Sequence, residues 1–194
     1  SIMEVARLLA ANPPKRSVMF IALTAEEKGL VGSDYNARNP TVPAGGEVVA
    51  NVNLDMPIVT WPFTDVVAFG GERSTMYPVV EAAAERAGLA LTPDPQPEQG
   101  FFVRSDQYSY VKQGVPAVYL DLGWGNGGAE AQLAFQKDHY HKVSDEADLI
   151  DYDAMQRFTQ VNYEIAKGVA NMDERPRWKK GDFFGRIFGG PMEE

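Results

Sequence analysis

Cysteine is absent from the 194 residues, and histidine occurs only twice, at His139 and His141. Without cysteine there are no disulfides and no thiolate ligands, so any metal on this chain has to be held by carboxylates and those two imidazoles. Positive charge is also scarce: 18 basic residues face 27 acidic ones, for a net charge of -9. No basic block is long enough to follow a phosphate backbone, which argues against nucleic acid as a partner. No apolar run approaches membrane-spanning length, and neither internal repeats nor low-complexity segments occur. What is present is 44% hydrophobic content in 194 residues, enough for one domain with a full core.

The most informative stretch is residues 16–33, RSVMFIALTAEEKGLVGS. Residues 18–23 form an apolar run of strand length, rich in β-branched and aromatic side chains, and predict a strand buried on both faces. It ends on Glu26 and Glu27, which places two carboxylates at the C-terminal mouth of a strand, where open α/β sheets bind ligands. Taken alone, the pair reads equally as first-turn acids of a following helix. A second apolar run, residues 48–54, also ends in an acid, Asp55; alone, that residue reads as a turn initiator before Pro57.

The rest of the chain alternates. Ser1 and Glu4 have capping-box spacing, so the chain opens on a helix carrying Ile2, Val5, Leu8 and Leu9. Residues 65–69 predict a strand, Ser74 caps a helix closed by Gly88, and residues 89–92 predict a short strand. Ser105 or Asp106 caps a helix that Gly114 ends, and residues 116–122 predict another buried strand. This βαβ alternation predicts a three-layer α/β/α sandwich around a mixed, largely parallel sheet. Residues 123–138, which include Trp124, read as a long loop of the kind that carries function. Both histidines follow it, flanking Tyr140; at positions i and i+2 their rings point apart, so at most one is a ligand. Asp151 caps a long helix with a stripe of Met155, Phe158, Val161, Ile165 and Val169. Residues 174–194 form a basic and aromatic tail expected to pack on domain 1–173 or on a partner.

Glu26, Glu27, Asp55 and His141 together make an oxygen and nitrogen donor set suited to zinc. Adjacent glutamates fit a division of labour in which one binds metal and the other takes a proton from metal-activated water.

Four motifs stand in order: Ala25-Glu26-Glu27-x-Gly29-Leu30-x-Gly32-Ser33, Asn53-Leu54-Asp55-Met56, Ser105-Asp106-Gln107, and Tyr140-His141-x-x-x-Asp145. In that order they resemble the co-catalytic two-zinc exopeptidases, the group of bacterial leucyl aminopeptidases and glutamate carboxypeptidases, over nearly the whole chain. The resemblance implies Glu26 as general base, Glu27 and His141 as ligands of one zinc, and Asp55 as ligand of a second. It implies Tyr140 as hydrogen-bond donor to the oxyanion and Asp106 as a pocket residue, although capping explains Asp106 equally well. Trp124 is expected to line the substrate pocket, and a surface packing of its loop is the competing expectation. His139 receives no role.

One departure stands out. The family carries a His-x-Asp ligand motif and a bridging aspartate upstream of the segment matched here, and this sequence contains neither. The expectation is therefore an N-terminally truncated exopeptidase, inactive or nearly so alone, with partial or no zinc occupancy and a face left open to self-association. Its substrate would be a peptide or aminoacyl group, and the resemblance implies a periplasmic or secreted setting. The alternatives are a non-catalytic binding module on the same fold and a single-zinc glutaminyl cyclase.

Overall fold

The computed structural model describes residues 1–194. Four strands make one mixed sheet: β1 (Asn51–Asn53), β2 (Asp65–Phe69), β3 (Ala90–Leu91) and β4 (Ala117–Leu122), in the order β1-β4-β2-β3. β1 runs parallel to β4, β3 parallel to β2, and β2 antiparallel to β4. Every residue of β2 is buried, as is all of β4 except Asp121, so both faces of the sheet centre are covered. Alternation sorts the two strands. Val66, Ala68, Val118, Leu120 and Leu122 pack on one face under helices α3 (Tyr77–Arg86) and α6 (Tyr152–Asn171). Val67, Phe69, Ala117 and Tyr119 pack on the other, with Phe102, Trp178 and Val111 of helix α4 (Gln107–Val111).

The expected stripe of α6 points inward, with Phe158, Val161 and Ile165 fully buried. The helix starts where Asp151 accepts from the backbone N–H groups of Asp153 and Ala154 at 3.0 Å, a cap worth about 1 kcal/mol. Helix α1 (Ile2–Ala11) lays Val5 and Leu9 against Tyr163 of α6. Ser1 precedes α1 but does not cap it by side chain; its hydroxyl pairs with Thr159 Oγ1 at 2.7 Å, and Glu4 pairs with Arg7 instead of reaching back.

Residues 174–194 fold over the second face. Trp178 is fully buried and its indole N–H donates to Gly114 O at 2.9 Å. The indole lies so close to Gly190 that a Cβ there would sit 2.5 Å from the ring nitrogen, so only glycine fits. Asp182 caps the short helix α7 (Phe183–Ile187) and pairs with Arg73 at 3.0 Å.

Two expectations change. Residues 18–23 form no strand: Met19 and Phe20 are each 40% exposed, and no backbone group of residues 17–23 enters a backbone hydrogen bond. A strand buried on both faces needs pairing partners and a cover for each face. Here the neighbouring run, residues 48–54, is itself reduced to Asn51–Asn53, which pairs only with β4. Between the two runs lies an open apolar groove of about 690 Å³, lined among others by Val18, Phe20, Val48, Val52 and Val169.

The second change is at residues 123–138, where the expected long loop contains helix α5 (Gly128–Asp138). Its sequence, GAEAQLAFQKD, is made of good helix formers, but it buries only Gly128. With no broad apolar stripe the period is faint, and the preceding glycines mask the start.

Candidate active site

The site forms where β1 ends and where residues 18–25 arrive beside it. Glu26–Lys28 is a single 3-10 turn, entered through Ala25 at φ 58° and left through Gly29 at φ 96°. Helix α2 (Val31–Arg38) then passes so close to the incoming chain that a Cβ on Gly32 would lie 2.3 Å from Thr24 O. Those two glycines turn the chain sharply enough to leave Glu26 and Glu27 at the mouth. The following Ser33 is buried, and its hydroxyl lies 2.9 Å from that of Ser109 on α4.

After α5, the chain brings His141 over this turn, with φ 57° at His141 itself. Its Nε2 lies 2.8 Å from Glu27 Oε1, and the Tyr140 ring stacks on the imidazole at 3.8 Å between centroids. His139 points elsewhere, its Nδ1 2.9 Å from Ser144 O. The two rings of the i, i+2 pair thus serve different partners.

Asp55 is held by a relay. Its Oδ2 accepts from Ser105 Oγ at 2.5 Å; Asn53 Nδ2 donates to that hydroxyl at 2.9 Å and to Gln107 Oε1 at 2.8 Å. The fully buried Gln107 donates in turn to Phe102 O at 2.8 Å. Tyr119 Oη donates to Asp55 O at 3.2 Å. A carboxylate fixed from this many sides has little freedom to swing.

Negative charge accumulates here. Burial pushes the Glu26 carboxyl above its ordinary pKa, and the carboxylates of Asp55, Glu27 and Asp106 push it further, while the Arg104 guanidinium opposes them. Asp106 is raised too, first by burial and then by Asp55, against a hydrogen bond from Ser33. Its Oδ1 is buried without a partner. The Tyr140 phenol is raised by burial and by the charges of Glu27 and Glu26.

Glu26, Glu27, Asp55, Asp106, Tyr140 and His141 therefore share one neighbourhood. Trp124 is set apart from their contacts: it lies half-buried in the bend between β4 and α5, which is fastened by the Gly125 N–H to Asp65 Oδ1 at 2.8 Å and by Asn126 Nδ2 to Pro62 O at 2.7 Å. Sequence reasoning gave no role to Arg104, to the Asn53, Ser105 and Gln107 relay, or to Asp121, although Asp121 was visible as the only charge in the apolar run AVYLDL.

Glu27 and His141 are donors of the kind zinc prefers. No three His, Asp or Glu side chains converge as a metal-holding group, so the donors fit zinc in kind and fall short in number.

A mixed sheet flanked by helices is also the fold of two solved proteins. BSAP, a zinc aminopeptidase from Bacillus subtilis, superposes with a TM-score of 0.67 at 22% identity, covering 90% of this chain and 41% of that one. The aminopeptidase from Aneurinibacillus sp. strain AM-1 gives 0.63 at 21% identity, covering 90% and 38%. Among curated proteins, a probable zinc metalloprotease of Pyricularia oryzae is 26% identical over 90% of this chain and 41% of its own length. Aminopeptidase YwaD of Bacillus subtilis is 27% identical over 86% and 36%. Residues 1–166 match peptidase family M28, and the chain belongs to that family. It spans about two fifths of the length of the curated relatives it matches. No helix is long and apolar enough to cross a membrane.

Proposed function

We propose that residues 1–194 carry the general base and part of the metal-ligand set of a zinc-dependent, aminopeptidase-type peptide hydrolase. The observation that carries this reading is the contact of His141 Nε2 with Glu27 Oε1 at 2.8 Å, beside a Glu26 whose pKa burial and three neighbouring acids raise. Glu27 and His141 would hold one zinc, and Asp55, fixed by Ser105, would serve a second. When bound, zinc supplies Lewis acidity toward a peptide carbonyl and toward water at this mouth.

The chain's own residues do the rest. Glu26 sits one residue from the ligand Glu27, so its carboxylate can take a proton from water at the site and pass it to the leaving amine. Its raised pKa suits that task, because a carboxylate that titrates closer to neutrality takes the proton from water more readily while its acid form can still protonate the more basic leaving amine. Tyr140, with its proton held firmly by the acids around it, is a hydrogen-bond donor for an oxyanion. Asp106 lines the pocket floor. A catalytic zinc takes three protein ligands and one water; with two in hand, these residues turn over slowly by themselves.

The test is zinc titration by calorimetry with leucyl anilide turnover measured on the same sample. Weak zinc binding with turnover far below that of ordinary aminopeptidases is expected. Two tight zincs per chain with full aminopeptidase rates would mean that other residues complete the centre, and the ligand assignment would be withdrawn.

A further inference from the structure

The groove between residues 18–23 and 48–53 takes no part in the chemistry described above, and its two walls are incomplete in the same way. Neither residues 17–23 nor residues 47–50 enter any backbone hydrogen bond, and β1 pairs only along the edge that faces β4. Two runs of unpaired backbone donors and acceptors therefore border an apolar gap, as in a sheet with one strand left out. A six-residue strand is about 20 Å long, about 4.8 Å across in the plane of a sheet and about 10 Å through it, roughly 950 Å³ in all. A groove of about 690 Å³ thus has room for one strand and not for two. Val169 of α6 and Tyr110 of α4, which lie on opposite faces of the sheet, both line it, so an inserted strand would be covered on both faces.

The groove also lacks donors. Asn51, Asp106 and Asn162 each have a buried Oδ1 without a partner, all three line the groove, and Asn162 is fully buried. Acceptors in this state cost stability until a donor reaches them. A purely apolar occupant brings none. A strand of polypeptide brings backbone N–H groups for the walls and polar side chains for these acceptors.

The chain itself carries a segment of the required kind. Residues 18–23 are apolar at every position, with Val18, Phe20 and Ala22 alternating with Met19, Ile21 and Leu23, so the run suits a place buried on both faces. It cannot fill its own groove, because it forms one wall of it; the same run of a second copy can. We propose that two copies of this chain associate about a two-fold axis between their 18–23 runs, each run entering the groove of the other. The joint sheet then reads, in order, one copy's 48–53, the second copy's 18–23, the first copy's 18–23 and the second copy's 48–53, and every unpaired edge gains a neighbour. Such an interface is isologous and closes at two copies. Charge agrees with it. Runs related by this axis are antiparallel, and laying 18–23 against 48–53 brings Arg16 of the second copy opposite Asp55. Its guanidinium, with five N–H donors, arrives where Glu26, Glu27 and Asp106 also gather. Association of this kind does not depend on the hydrolase reading.

The experiment is sedimentation velocity of residues 1–194 from about 0.1 to about 100 µM, with amide hydrogen exchange read at both ends of the range. The mass should rise toward twice the 21.4 kDa of the single chain, with a dissociation constant of order 10 µM, as befits an interface formed by one strand from each side. The amides of residues 18–23 should exchange at least about tenfold more slowly at the upper concentration. Phe20→Lys, at a position 40% exposed in the single chain, sets like charges beside the axis and should weaken association about tenfold or more. A chain that stays single throughout would overturn the proposal and leave the groove to another polypeptide. A dimer whose 18–23 amides stay unprotected, growth beyond two copies, or a folded Phe20→Lys variant that associates as the native chain does would overturn it as well. The concentration series needs no substitution, so it decides the matter even where the variant fails to fold.

Discussion

Replacing Asp121 by asparagine should stabilise the metal-free protein, and by an amount that depends on pH in a defined way. Burial first, and then the charges of Asp55 and Asp94, raise its carboxyl pKa from 3.8 to about 7, against the lowering effect of the Leu122 N–H. In the unfolded chain the group ionises near 3.8; in the folded chain it keeps its proton until about pH 7. Between those values the folded state holds more protons, so stability falls as pH rises and levels off above the folded pKa. At 1.36 kcal/mol per pH unit the full gap corresponds to about 4 kcal/mol. Asp121 is half-buried, and screening by solvent reduces the effect to roughly 2 kcal/mol. Asparagine keeps the acceptor for Leu122 and never ionises. It should raise the melting temperature by about 4–8 °C at pH 8 for a chain of this size, with the gain shrinking steadily toward pH 4. The assay is thermal unfolding of both proteins in chelator across that range. A difference that is flat with pH, or that grows toward acid, would refute the raised pKa and the unpaired state of Asp121.

Three further outcomes are expected. In zinc-supplemented protein, Glu26→Gln should keep zinc affinity while lowering turnover by about 100-fold or more, whereas Glu27→Gln should weaken zinc binding first; equal loss of zinc in both would contradict the roles given. Trp178→Ala removes a fully buried side chain together with its hydrogen bond to Gly114, and should cost about 3–5 kcal/mol in denaturant unfolding; a loss below about 1 kcal/mol would show that the tail is not part of the folded unit. In dilute, single-chain protein, Phe20→Ser, at a position 40% exposed, should lie within about 1 kcal/mol of the native stability and improve solubility; a loss of several kcal/mol would mean that residues 18–23 are covered within the single chain.

How far the sequence could be read depended on whether each element finds its partners inside the chain. β2, β4, α3 and α6 were legible because their periodic apolar residues meet in one core: Val66 opposite Leu122 across the sheet, with Val80 and Val161 from the two helices above. The run at 18–23 has the composition of a central strand, and composition alone cannot reveal that the pairing edges beside it are unfilled. α5 was missed for the opposite reason, since it is helical by propensity and buries almost nothing. At the site, the residue types and their order brought Glu26, Glu27, Asp55 and His141 to notice. The relay from Gln107 through Asn53 to Ser105 could not be anticipated, because it depends on side chains from β1 and α4 meeting in space.

The closing of the second sheet face by Trp178 also bears on how the chain is made. Val67, Phe69 and Tyr119 are all synthesised before Trp178, whose main chain is held in turn by later residues: its backbone N–H donates to Pro191 O at 2.8 Å and its carbonyl accepts from the Glu193 N–H at 2.7 Å. Residues 178–193 therefore complete a layer begun more than a hundred positions earlier. Nascent chains fold from the amino end as they emerge, so this half of the sheet stays open until Trp178 and residues 191–193 have emerged. A ribosome stalled after α6 has emerged and before Trp178 has would hold a chain whose α3 and α6 side is assembled and whose α4 side is still exposed to chaperones.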